Sequence, residues 1–236
     1  MTSTIAFDIY GTLIDPNEVY ASIEKFTGLK AGEFMEVWRN KQLEYSFRRG
    51  LMKDYVPFPV CTLNALDFAD TYFETQLTDT DKKELMEAWK KLPAYNNVKS
   101  GLKALKNGGV NIYAFSNGRK EDIRHLLEKA EILGLFDGTV SVETVRSFKP
   151  DPAVYEFLAG ESGSGKSHTW LVSSNPFDVI GAIKSGLKTA WLKRNPSQVF
   201  DPWGVSPDVV TDNILKLQKL IAGKANSGVS PDNAAL

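Results

Sequence analysis

Apolar positions fall into two regimes along the chain, and the change comes at Pro93. Before it, from residue 16 onward, they recur at helical spacing. "NEVYASIEKFTG" places Val19, Tyr20, Ile23 and Phe26 on one helical face and stops at Gly28. "AGEFMEVWRNKQLEYSFRR", carrying Phe34, Trp38 and Tyr45, then "NALDFADTYFETQL" and "DKKELMEAWKKL" predict three more helices, with no convincing strand among them.

After Pro93, short β-rich runs alternate with helical ones. "VKSGLKALKNGG", "KEDIRHLLEKAEIL", "DPAVYEFLAG", "PFDVIGAIKSG" and "NILKLQKLIAG" read as helices. Between them "VNIYAFSNG", "GTVSVETV", "HTWLVSS", "KTAWLKR" and "PDVVT" read as strands, and "TIAFD" (4–8) supplies another at the start. This alternation predicts an α/β fold with a parallel sheet covered on both faces. The core is expected from 1–15 and 94–223, with 16–93 as a helical insertion after the first strand. The tail 224–236, "KANSGVSPDNAAL", is small and polar and is expected to be disordered.

Composition narrows the function classes. At 236 residues there is room for one sizeable α/β domain, or a core with a smaller insertion. A formal net charge of -1 leaves no footprint for nucleic acid or an anionic membrane surface. "MTSTIAFD" has neither the basic start nor the apolar run of a signal peptide, and no stretch approaches the roughly 18 apolar residues of a membrane span. The single cysteine, Cys61, excludes an intramolecular disulfide framework and suits a reducing cytoplasm. With His125 and His168 the only histidines, a zinc cluster is not expected.

"GESGSGKS" (160–167) matches the phosphate-loop pattern G-x-x-x-x-G-K-[ST] at every position. That loop needs a strand before it and a helix after it, so that backbone N–H groups converge on the phosphates. Here a helix precedes and a strand follows, so the stretch is expected to be a flexible connection with Lys166 in solvent.

In sheets of this kind, ligands bind beyond the carboxyl ends of the strands. The polar residues expected there are Asp8, Ser116–Asn117, Lys149 before Pro150, and "SSNPFD" (173–178). Taken alone, Asp8 reads as a turn or cap residue; four polar strand ends together point to a site.

Those segments resemble the haloacid dehalogenase superfamily from Thr4 to about Gly223. "FDIYGT", "FSNG", "KP" and "SSNPFD" are similar to its four motifs, and "WRNKQLEY", "FKPDPAVY" and "VSSNPFD" to the L-2-haloacid dehalogenase branch. The resemblance implies a Rossmann-like core, a helical cap formed by 16–93, a homodimer, and a small 2-haloacid substrate. It implies Asp8 as the nucleophile, Thr12 orienting it, and Lys149 as the fixed cation. Ser116 would hold the substrate carboxylate; Arg39, Asn117 and Phe177 the departing halide; Tyr10, Leu43 and Phe58 the apolar part. Tyr155 would hydrogen-bond within the site, and Asp178 would activate water with Ser173 and Asn175 holding the geometry. Bottom-up, each has a plainer alternative: a surface lysine before a proline, a solvated helix arginine, core or packing aromatics, an acid in a helix's first turn.

The departures from the phosphatase pattern carry chemistry. Phosphatases of the superfamily have a second Asp two positions after the nucleophile to protonate an alkoxide; here Tyr10 stands there. Halide needs no proton to leave. Ser173, Ser174 and Asn175 occupy much of the segment where those phosphatases place acids for magnesium, leaving Asp178. No metal or cofactor is expected. The alternatives are a magnesium-dependent phosphatase acting through Asp8, and a nucleotide-binding module at 160–167.

Overall fold

Strand β1 (Thr4–Phe7) alternates its side chains between two buried layers, and this places it inside the sheet. Ile5 and Phe7 join one apolar cluster, while Ala6 joins the other. The structure, a computed structural model, describes residues 4–226. Among them six parallel strands run in the order β3-β2-β1-β4-β5-β6, with β2 Asn111–Ser116, β3 Gly138–Ser141, β4 Thr169–Ser173, β5 Lys188–Leu192 and β6 Val209–Thr211.

Between β1 and β2 the chain runs through α1 (Tyr20–Thr27), α2 (Ala31–Met52), α3 (Phe58–Phe73) and α4 (Asp79–Ala88), with no strand among them. Helix α3 begins earlier than the pattern of apolar positions suggested. Pro59 explains this, because proline is tolerated in a first helical turn where its missing N–H has no partner to lose. Helix α4 opens with a reciprocal cap: Thr78 Oγ1 accepts from Asp81 N, and Asp81 Oδ2 accepts from Thr78 N.

The remaining helices cover the sheet: α5 (Val98–Asn107), α6 (Lys120–Lys129), α7 (Pro152–Glu161), α8 (Pro176–Lys184) and α9 (Ile214–Asn226). Leu102, Leu105, Ile214 and Leu217 pack with the Ile5 and Phe7 face; Val154, Tyr155, Leu158 and Ala182 pack with the Ala6 face. Helix α9 continues through Lys224 to Asn226, into the stretch expected to be disordered; the rest of that tail lies outside the described residues. "GTVSVETV" is a strand only to Ser141, whose Oγ accepts from Glu143 N and turns the chain into a 3-10 turn. Among the described residues no helix is long and apolar enough to cross a membrane.

Residues 160–167 run from the last turn of α7 into a 3-10 turn before β4, the order opposite to that of a phosphate loop. Lys166 pairs at the surface with Glu156 at 2.8 Å.

The strand order fixes where a ligand can bind. The connection from β1 leads to one side of the sheet, and β4 lies on the other, so the order reverses between them. Register pairs Phe7 with both Ala114 and Val172. Asp8, Ser116 and Ser173 therefore emerge from neighbouring strands at the end where a doubly wound sheet opens its binding crevice.

Candidate active site

Asp8 follows β1 directly, and its N–H donates to Val172 O at 2.9 Å, continuing the ladder with β4. The chain then turns at Gly11, whose φ of +79° lies in the left-handed region that favours glycine. This turn brings Thr12 back over Asp8. Thr12 Oγ1 donates to Asp8 Oδ2 at 2.8 Å and accepts from Ser174 N at 2.9 Å, tying the β1 loop to the β4 loop. Asn175 Nδ2 donates to the same Oδ2 at 2.8 Å, and Ser173 Oγ lies 3.3 Å from it. Asn175 is itself held by its N–H on Ser173 Oγ at 3.1 Å, just before Pro176 opens α8.

One carboxylate oxygen of Asp8 thus has three donors, and the other has one. Lys149 Nζ lies 3.0 Å from Oδ1, 3.0 Å from Asp178 Oδ2 and 3.0 Å from Phe115 O. Its three ammonium protons have three acceptors. The ammonium also stands 4.1 Å from the centroid of the Phe115 ring. Far from being a surface lysine, Lys149 is 2% exposed. Burial pulls its pKa down, but the carboxylates of Asp178 and Asp8 outweigh burial and hold it above the ordinary lysine value.

Asp178 is fully buried in the first turn of α8. Tyr155 O–H donates to its Oδ1 at 2.8 Å. Two carboxylates share one ammonium here, and Asp178 has fewer donors than Asp8. Burial raises its pKa above the ordinary carboxylate value, with Lys149 opposing and Asp8 adding to the rise. Burial, followed by the charge of Asp178, also raises Tyr155 well above an ordinary tyrosine.

Asp8 and Lys149 stand at the floor of a cavity of about 300 Å³, counted with its mouth. Asp8, Ser116, Asn117, Lys149, Asn175 and Phe177 contribute from the strand ends, Arg39 and Leu43 from α2, Phe58 from α3, and Tyr10 from the β1 loop. Every residue the sequence suggested for substrate binding lines it. Thr12, Ser173, Tyr155 and Asp178 are not on the wall; they stand behind it and reach the site through Asp8 and Lys149. Ser116 Oγ accepts from Gly118 N at 3.2 Å, and Asn117 Oδ1 accepts from Lys149 N at 2.9 Å. Arg39 is not a solvated arginine: it donates to Gln42 Oε1, and burial lowers its pKa while Asp8 and Tyr10 oppose that shift.

Sequence reasoning missed the groups that hold the wall in place. Gln42 anchors Arg39 and donates to Thr62 Oγ1 at 2.6 Å, and Thr62 donates to Phe58 O at 3.1 Å. Phe47 packs edge-on against Phe177 with centroids 5.1 Å apart. The three-residue spacing of Arg39 and Gln42 could have suggested the first link; the link across to α3 had no sequence signal.

The donor set does not suit magnesium. Ser173, Ser174 and Asn175 offer hydroxyls and an amide where magnesium prefers carboxylates, and Lys149 Nζ already bridges Asp8 and Asp178. Among the described residues no three His, Cys, Asp or Glu side chains come together as a metal site.

Comparison with known proteins agrees with this arrangement. Residues 2–186 match the haloacid dehalogenase-like hydrolase family. The chain is 34% identical to haloacetate dehalogenase H-2 of Moraxella sp. (strain B), over 92% of this chain and 97% of that protein. It is 34% identical to an (S)-2-haloacid dehalogenase of Pseudomonas sp. (strain YL), over 95% and 97%. The solved structure of L-2-haloacid dehalogenase from Xanthobacter autotrophicus with chloropropionic acid covalently bound superposes with a TM-score of 0.86 at 27% identity, covering 94% of this chain and 99% of that one. The motifs at the strand ends, the sheet order and these matches converge: the chain belongs to the haloacid dehalogenase-like hydrolases, in the L-2-haloacid dehalogenase branch.

Proposed function

We propose that this protein hydrolyses short L-2-haloalkanoic acids to D-2-hydroxy acids through an ester on Asp8. The observation that carries the reading is the asymmetry of the Asp8 carboxylate. Oδ2 has three donors, while Oδ1 has only Lys149 and keeps a lone pair for the cavity. Oδ1 is therefore the nucleophile. It attacks the α-carbon opposite the halogen, the carbon–halogen bond breaks, and halide leaves with inversion.

Charge is the first obstacle. A substrate carboxylate ~4 Å from ionised Asp8 meets a repulsion of about 4 kcal/mol at an effective dielectric near 20. Lys149 offsets it, and Ser116 with the backbone N–H groups after Asp8 receives the substrate carboxylate. Arg39, the Nδ2 donors of Asn117 and the Phe177 ring edge take the halide. No proton is delivered to it, which is why Tyr10 can stand where an acid would otherwise be required.

In the second step Oδ2 is the ester's carbonyl oxygen. Water attacks the Asp8 carboxyl carbon, and charge builds on Oδ2, where Thr12, Asn175 and Ser173 already point donors. Asp178, its pKa raised by burial, takes the proton from that water. The bond from the Asp8 carboxyl carbon to Oδ1 then breaks; Oδ1 stays on the α-carbon as the new hydroxyl oxygen and takes its proton from Asp178, while Asp8 regains an oxygen from water and returns to carboxylate as the second water proton passes to solvent.

Residues 16–93 act as a cap over a core made of 1–15 and 94–223, since Arg39, Leu43 and Phe58 close the cavity from that side. The homodimer implied by the resemblance and a cytoplasmic location, with its single free Cys61, belong to the same reading. Sedimentation at several concentrations tests the dimer.

The experiment for the function is halide release from each enantiomer of 2-chloropropionate with EDTA present. Release from the L form alone is the expected result. Release from neither, with folded protein, overturns the reading for this substrate.

A further inference from the structure

Arg194, just beyond β5, directs its guanidinium at two neutral oxygens from distant parts of the chain. Nε and Nη2 both donate to Thr12 O, at 2.9 and 2.7 Å, and Nη1 donates to Asn97 Oδ1 at 2.8 Å. Its Cζ stands 4.3 Å from the centroid of the Tyr95 ring. Burial lowers its pKa to about 10, with Tyr95 and Asp15 opposing the shift, so the group is charged at neutral pH.

At this point the chain leaves the sheet for residues 16–93 and returns from them. Ile14 and Ala94 form an antiparallel bridge, Tyr95 N donates to Leu13 O at 3.0 Å, and Asp15 N donates to Pro93 O at 3.0 Å. Arg194 spans the crossing, with Thr12 on the outgoing segment and Tyr95 and Asn97 on the returning one. The neighbouring backbone is fixed to the sheet, since Lys193 N donates to Thr211 O at 2.8 Å.

Thr12 links this crossing to the chemistry. Its hydroxyl donates to Asp8 Oδ2 at 2.8 Å, the oxygen on which charge builds when the ester is hydrolysed, while Arg194 holds its carbonyl. Among the described residues no backbone N–H reaches that carbonyl. A planar fork with two N–H groups on one oxygen fixes both position and direction, which a flexible ammonium does not.

We propose that Arg194 is a positioning residue for ester hydrolysis, clamping the crossing of the two segments and so holding the Thr12 hydroxyl on Asp8 Oδ2. The inference rests on the haloacid reading above. The first step draws on Oδ1, held by Lys149, and the second on Oδ2, held in part by Thr12. Loss of the clamp therefore slows decay of the ester more than its formation. A purely structural staple would produce no such split.

The test is a single turnover of L-2-bromopropionate with enzyme in excess, quenched at intervals, following released bromide and the ester on the Asp8 peptide by mass spectrometry. Rate constants obtained this way do not depend on how much of a variant is folded. Arg194→Ala is expected to slow ester decay by about tenfold, short of the roughly hundredfold loss from deleting an oxyanion donor outright, and formation by less than about threefold. Arg194→Lys keeps the charge and much of the stem, and carries the test alone should the alanine variant not fold. It is expected to show the same split, because an ammonium cannot reproduce the fork.

Formation and decay slowed equally, or decay unchanged in either variant, overturns the proposal and leaves Arg194 as a structural staple. In that case an active wild type keeps the haloacid reading standing. Neither bromide nor ester from wild type overturns that reading, and this inference with it.

Discussion

Lys149 Nζ lies 3.0 Å from Asp8 Oδ1, yet the two residues are 141 positions apart in the chain. The pair is buried, and Asp178 shares the same ammonium at 3.0 Å. The lysine therefore does two things at once. It compensates two carboxylates that could not both stay ionised in a dry site, and it prepares that site for an anionic substrate.

Removing it exposes both roles. Lys149→Met leaves two buried carboxylates without their cation, and unfolding in urea should show a loss of about 3–5 kcal/mol. Halide release should fall together with stability. A variant as stable as wild type would mean that the ammonium does not carry the compensation.

The raised pKa of Asp178 has a sign that can be worked out. The folded state holds this proton to higher pH than the unfolded chain, whose value is near 3.8, so folding takes up a proton in the window between them. This contribution to stability falls as pH rises above about 3.8 and levels off once the folded group ionises. Lys149 runs the other way: its contribution is complete below about 10.5 and is lost only as pH rises through its raised folded value. Only ionised Asp178 can accept a proton from water, so kcat should drop on the acid side at a pH above the ordinary carboxylate range. Asp178→Asn should remove that stability slope and stop the second step, leaving halide released once per site and a carboxyalkyl ester on the Asp8 peptide by mass spectrometry. Steady turnover by this variant would exclude Asp178 as the base.

Packing supports the same network at Gly181. A Cβ there would come 2.5 Å from Tyr155 Oη and 2.7 Å from Pro150 Cβ. Alanine is worth about 1 kcal/mol more than glycine inside a helix, but here it displaces the tyrosine that holds Asp178. Gly181→Ala should therefore lower both the melting temperature and kcat, while Gly160→Ala, with open space around its Cβ position, serves as the control. Equal behaviour of the two variants would show that Tyr155 yields without consequence.

The sequence made the site legible to the extent that each residue closes a periodic element. Asp8, Ser116 and Ser173 end apolar runs, and parallel register aligns those ends, so their meeting follows from local pattern and the rule for ligand crevices. Arg39, Leu43 and Phe58 lie in helices whose apolar spacing is satisfied by packing alone; only the resemblance suggested that they face Asp8. Gln42 and Thr62 gave no signal because their bonds cross from α2 to α3, and polar residues on helices usually read as solvated. The early start of α3 was hidden by Pro59, which resembles a breaker unless the first turn is already known. The short β3 was hidden by Ser141, whose β-rich surroundings concealed a turn.

The most direct test of the central claim is one turnover in water enriched in oxygen-18, with enzyme in excess over L-2-chloropropionate. The account predicts unlabelled 2-hydroxypropionate, carrying the former Oδ1 of Asp8, and label appearing in the Asp8 peptide. Label in the product of that first turnover, with Asp8 unlabelled, would mean that water attacks the α-carbon directly and that no Asp8 ester forms.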